Sequence, residues 1–175
     1  MEMSGSITIA ADRETVWAAL LNPDVLKECV PGCQEMTGSP EDGFAATVVQ
    51  KVGPVKATFK GEVQLQDRVA PESLRLVGEG KGGAAGFAKG GADVRLVGED
   101  GSTRLDYEVE AKVGGKLAQL GSRIIDGFAR KMADQFFERF REAVEGPAEP
   151  SAADDATSDE AEAPKKGWFR SMVSG

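Results

Sequence analysis

Histidine is absent from this chain. With it go the commonest general base, the commonest metal ligand and the usual partner of a catalytic serine or cysteine. Cysteine is nearly absent too, with Cys29 and Cys33 the only two. A pair of thiols lacks the further ligands a tetrahedral metal site requires. Cys29 and Cys33 therefore read as small buried residues beside the Pro31-Gly32 turn, and as free thiols in a reducing compartment. Neither a metal site nor a catalytic residue is expected. A basic excess is also missing: the net charge is −8, against the positive footprint that nucleic acid demands. No segment approaches the roughly 20 apolar residues of a membrane span. Residues 1–10 lack the basic-then-apolar order of a secretory signal, so a cytoplasmic location is expected.

What the chain does have is period. An apolar fraction of 41% supports a real core. Val55, Ala57, Phe59, Gly61, Val63 and Leu65 alternate with Lys56, Thr58, Lys60, Glu62, Gln64 and Gln66. Leu105, Tyr107, Val109, Ala111 and Val113 alternate with charged neighbours in the same way. Such alternation marks strands with one dry and one wet face. From residue 115 the period lengthens. Leu117, Leu120, Ile124, Phe128, Met132 and Phe136 recur every three or four residues, the stripe of a single long helix running to residue 144.

Shorter signals fill in the order. Residues 4–10 read as a first strand. Asp12 is a good N-cap for a helix carrying Val16, Trp17, Leu20 and Leu21, which Asn22-Pro23 stops; residues 24–28 give a second short helical piece. Strands are expected at 33–37, 44–52, 55–69, 72–80, 92–98 and 103–113, with Asp100-Gly101 a hairpin signal. The fold class is α+β: a curved antiparallel sheet of about seven strands, two short helices after the first strand, and a long C-terminal helix against one face. A sheet wrapping one helix easily leaves a hollow between them.

Candidate sites follow from that picture. Gly78, Gly80 and Gly83 match the dinucleotide fingerprint in letters, but glycines rather than a helix follow. A flexible hairpin at the cavity mouth fits better. Phe87 within that segment is either core or an apolar gate on a mobile loop. Asp67, Asp93 and Asp106 fall on wet positions and read as solvated surface. Tyr107 faces the dry side, where it either places a hydroxyl in the cavity or finds a backbone partner. Gly121 and Gly127 cost a helix about 1 kcal/mol each relative to alanine; a strand or a ligand packing close would account for them. The expected ligand-lining set is Trp17, Phe44, Phe59, Phe87, Tyr107, Leu117, Leu120, Ile124 and Phe128.

The end of the chain differs in kind. Residues 1–146 make the folded domain. Residues 147–164 are rich in Ala, Pro, Ser and acids, with no large apolar residue, and read as a disordered linker. Residues 165–175 combine Lys165, Lys166 and Arg170 with Trp168, Phe169, Met172 and Val173. On a helix the apolar group would share one arc with bases opposite, which suits an anionic membrane surface; a docking peptide for a partner protein is the competing reading.

Residues 1–144 resemble the CoxG family, the G subunit of carbon monoxide dehydrogenase, within the START-like, Bet v 1-like (SRPBCC) helix-grip superfamily. The resemblance rests on Pro31-Gly32-Cys33, on KVGPVKATFKGEV at 51–63, on GEGKGGAAGFAKGGA at 78–92 and on VGGKLAQLGSRIIDGFARKMADQFF at 113–137. It implies a helix-grip fold with an apolar cavity and no catalytic motif. It also implies association with a molybdenum-containing CO dehydrogenase, or related molybdenum hydroxylase, at the inner face of the cell membrane. The function expected is an accessory protein with no tightly bound cofactor that binds an isoprenoid quinone such as menaquinone and delivers it to the enzyme. The rivals are a pure anchor or adaptor without a ligand, and a cyclase-type enzyme.

Overall fold

Asp12 opens the first helix by accepting a hydrogen bond from the Thr15 backbone nitrogen at 3.1 Å, which satisfies a donor the helix itself cannot. In the computed structural model, which describes residues 1–146, this helix α1 (Arg13–Leu20) follows strand β1 (Glu2–Ile9). Asn22 caps α2 (Pro23–Cys29), accepting from the Asp24 nitrogen at 2.9 Å, with Pro23 in the first turn where its missing N–H costs nothing. Six strands follow: β2 (Cys33–Ser39), β3 (Gly43–Val52), β4 (Val55–Val69), β5 (Ser73–Lys81), β6 (Phe87–Glu99) and β7 (Ser102–Gly114). They lead into α3 (Lys116–Gln119) and α4 (Ser122–Glu145).

The sheet is antiparallel throughout, in the order β1-β7-β6-β5-β4-β3-β2. Every neighbouring pair except β1–β7 is a sequential hairpin. The α1–α2 pair carries the chain from one edge strand to the other. The expected α+β architecture, a curved seven-stranded sheet gripping a long helix, is the one observed.

Two elements differ from the sequence reading. The long helix is broken: Gly121 adopts φ +89°, and the turn at Leu120–Gly121 separates α3 from α4. Gly121 is thus a left-handed breaker, which glycine alone adopts cheaply. A Cβ at Gly121 or Gly127 would meet nothing within 4 Å, so no strand packs close to either. The glycine-rich stretch is also more regular than expected. Gly78 and Gly80 lie inside β5, a 3₁₀ turn spans Gly83–Ala85, and β6 begins at Phe87. No helix follows these glycines, so the dinucleotide fingerprint has no structural counterpart.

The interior divides into two packed clusters. One joins Ile9, Val16, Trp17, Cys29, Leu96, Leu105, Tyr107 and Phe140. The other joins Val52, Leu117 and Ile125, with Phe59, Val113, Leu120 and Phe128 against them. The α4 helix, about 36 Å long, joins the clusters, with Ile125 in one and Phe140 in the other.

Candidate functional site

The register of the strands explains why a gap exists. On the inner side of the sheet, cross-strand neighbours form rows. Leu65, Leu76, Ala92 and Val109 make one such row, and Leu74, Val94 and Tyr107 another. Toward α3 the rows lose bulk: Val63, Gly78, Gly90 and Ala111, then Gly61, Gly80, Ala88 and Val113. Over these small residues α4 presents one arc, Ile125, Phe128, Ala129, Met132, Ala133 and Phe136. Two of those six are alanines, so backbone faces short side chains across the gap.

The result is a cavity of about 450 Å³, within the usual size range for a small-molecule site. Gly80, Ala88 and Ala111 form its floor, Phe59, Val109 and Val113 its flanks, and Val30 and Pro31 reach in from the α2–β2 connection. Met1, Met3, Val48 and Val52 complete the sheet side. A Cβ built on Gly80 would touch nothing within 4 Å, so the hollow begins at the backbone itself.

Gln50 is the one polar side chain in the lining among the described residues. Its Nε2 donates to the Pro31 carbonyl oxygen. The amide nitrogen lies against the Pro31-Gly32 backbone, and the surface turned to the hollow is almost wholly apolar. No acidic, basic, thiol or phenol side chain lines the cavity among the described residues. An arrangement of this kind can hold an apolar molecule; among the described residues it has no side chain placed to move a proton.

Of the nine residues expected to line the site, Phe59, Leu117 and Phe128 do border the cavity. The other six lie elsewhere. Trp17 belongs to the packed cluster at the opposite end. Phe44 is buried on β3, two inward positions from Val48, the nearest lining residue of its strand. Tyr107 lies flat on Phe137, ring centroids 4.6 Å apart and planes 5° from parallel, with its ring over Gly5. Phe87 is on the outer face, its ring filling the space beside Gly114, away from the cavity lining. Leu120 packs at the margin of the second cluster. Ile124 is 42% exposed while Ile125 is buried, because at 100° per residue Ile125 falls on the α4 arc of Phe128, Ala129, Met132 and Phe136 and Ile124 falls at its edge.

Sequence reasoning missed Ile125, Ala129, Ala133 and the floor of Gly80, Ala88 and Ala111. The signal for the floor was present as glycine and alanine recurring on the dry face of consecutive strands. Asp93 and Asp106 bond Arg75 and Arg104 at the surface, as their wet positions imply. Cys29 is fully buried, which with the nearby Glu28 carboxylate pushes its thiol up to about 11 despite Arg139. Cys33 donates to the Glu35 carbonyl oxygen at 3.2 Å. No group of three or more metal-binding side chains occurs among the described residues. The proposed linker and the basic tail from Lys165 to Val173 lie outside the described residues.

The sequence profile of CoxG, the G subunit of carbon monoxide dehydrogenase, matches residues 5–145. The chain belongs to the CoxG family. No curated protein matches it. Among solved structures, a conserved protein from Geobacillus kaustophilus is 29% identical, with a TM-score of 0.77, covering 82% of this CoxG-family chain and 95% of its own. A START superfamily protein from Mycobacterium smegmatis is 14% identical, with a TM-score of 0.62, covering 82% of this chain and 97% of its own. A protein from Thermus thermophilus is similar at 13% identity and a TM-score of 0.61, covering 82% of this chain and 97% of its own. The last two likenesses bear on the fold alone, and that fold is the START-like helix grip. No helix among the described residues is long and apolar enough to cross a membrane.

Proposed function

We propose that this CoxG-family protein is a non-catalytic accessory of a molybdenum-containing CO dehydrogenase that binds an isoprenoid quinone, such as menaquinone, and carries it between membrane and enzyme. The observation that carries the reading is the 450 Å³ hollow with an apolar lining and a single amide at Gln50. Isoprenoid quinones combine an apolar body with carbonyl acceptors. The hollow offers contact for the former, and rotation of the Gln50 amide off the Pro31 carbonyl would turn an N–H to the latter. Its volume suits a headgroup and the first part of a tail, with the rest of the tail leaving through the open side. The dehydrogenase as partner comes from the family name. Membrane contact is assigned to Lys165, Lys166, Trp168, Phe169, Arg170, Met172 and Val173, whose mixture of bases and aromatics suits anionic lipid.

The test is extraction of the full chain, purified without detergent, followed by mass spectrometry, with titration of added menaquinone and ubiquinone. A stoichiometric quinone, or saturable binding of one, is the expected result. An empty protein that binds neither would leave only the adaptor reading. Deleting residues 165–175 separates the two roles: a carrier keeps its quinone without the tail, whereas a pure tether loses all function.

A further inference from the structure

The outer face of the sheet repeats an unfavourable arrangement. Lys51 faces Lys56, Lys60 faces Lys81 and Lys89 faces Lys112, each directly across a strand boundary. Glu62 likewise faces Glu79. Like charges directly opposite destabilise a sheet, and a swap of partners would remove the cost. All eight side chains are exposed, and none forms an ion pair among the described residues, although Glu79 stands across from Lys89 on the other side. By contrast, Arg75 and Arg104 on the same sheet are each bridged to two acids. The lysine pairs form a band over β7, β6, β5, β4 and β3, at the end of the sheet that carries the cavity floor.

Part of this face is concave. A groove of about 1260 Å³ crosses it, with Lys60, Lys81, Lys89 and Lys112 toward one end and Glu62 and Glu79 beside them. Glycines at Gly82, Gly83 and Gly91 deepen it. The groove lining as a whole is nearly balanced, with Glu2, Glu62, Glu79 and Glu110 beside Arg75 and four lysines, so positive potential is confined to the lysine end. A planar anionic bilayer would meet the adjoining carboxylates and bridge the groove without filling it. A protein ridge can enter the groove and offer opposite charge to each band.

We infer that the lysine-banded outer sheet face is a docking surface for a protein partner whose projecting surface is acidic opposite the lysines. Resting on the function proposed above, that partner is the CO dehydrogenase, held on the side of the sheet away from α4. The like-charge pairs are then kept for recognition at the expense of the isolated domain.

The test uses the full chain and its cognate CO dehydrogenase, with association followed by surface plasmon resonance at several salt concentrations. K60E and K112E each replace a like-charge pair with an opposite pair. Each is expected to raise the melting temperature, while the double variant weakens binding by about tenfold or more, chiefly through slower association and a shallower salt dependence. K131E, on α4, is the control and should change neither. Quinone content of the variants, unchanged, shows that the cavity is intact. Wild-type binding that the double variant retains in full overturns the inference while leaving the proposed function standing. Absence of wild-type binding removes the dehydrogenase as partner and the inference with it. Loss of binding to phosphatidylglycerol vesicles, with enzyme binding retained, assigns the band to lipid instead and also overturns it.

Discussion

Gly61 and Gly80 face one another across β4 and β5 on the inner side of the sheet, and beyond Gly80 there is open space. Gly80 needs no left-handed backbone, so a side chain can stand there without strain. Replacing it with leucine should fill the hollow. The Gly80→Leu variant is expected to fold, with a melting temperature equal to or above wild type, and to lose copurified quinone. Mass spectrometry of the extracted lipid beside a thermal melt reads both effects.

Gln50 separates recognition of a carbonyl from mere apolar fit. Gln50→Leu removes the single side-chain donor in the lining while keeping most of its bulk. One neutral hydrogen bond contributes about 1 kcal/mol, so quinone affinity should fall about five- to tenfold. Affinity for a saturated hydrocarbon of similar size should hold or rise. Competition titrations with both molecules check this.

The adjacent isoleucines should respond differently. Ile125 is buried against Val52 and Leu117, and Ile124 is largely in solvent. Ile125→Ala is expected to cost about 2–5 kcal/mol, and Ile124→Ala to stay within about 0.5 kcal/mol of wild type. Urea denaturation distinguishes the two. Equal effects would mean that Ile125 does not lie on the buried arc of α4.

Tyr107 tests the enzymatic alternative. Its ring is stacked on Phe137 rather than exposed to the cavity. Tyr107→Phe should leave quinone binding unchanged and cost less than about 1.5 kcal/mol, while Phe137→Ala should cost about 3 kcal/mol. A phenol that served a cavity-bound reaction would show the opposite order in any turnover assay.

Cys29 predicts a pH dependence. Its folded-state value of about 11 lies above the ordinary 9.0. The unfolded chain therefore releases this proton first, and stability falls as pH rises from about 9 to 11. Below that window the contribution is fully present. Urea midpoints across this range should decline for the wild type and decline less for Cys29→Ala.

Much of the architecture is legible in the residues. The alternation in β4 and β7 needs no tertiary information, because a half-buried strand imposes it. Asp12 and Asn22 announce their helices through hydrogen bonds made within three residues. The site was less legible because a cavity is a matter of register. Gly80 becomes floor only when Gly61 and Ala88 sit beside it and no bulky side chain of α4 lies above. Large aromatics such as Trp17 and Phe44 draw attention as pocket walls, yet a large side chain most often fills space rather than leaving it. Ile124 and Ile125 were hard to separate because both are large and apolar, and only the arc shared with Phe128, Ala129 and Met132 decides which one faces the sheet.

The α4 helix resembles a beam supported at its two ends. Phe140 is seated among Ile9, Val16 and Leu105, and Ile125 among Val52 and Leu117, while Ala129 and Met132 span the hollow between those supports. Bowing the unsupported middle breaks no ladder bond in the sheet and leaves both anchorages seated. Under the proposed carrier function, guests of differing girth would be accommodated by flexure of that span, and the stiffness of the helical segment, more than the sheet opposite, would set the upper limit on size.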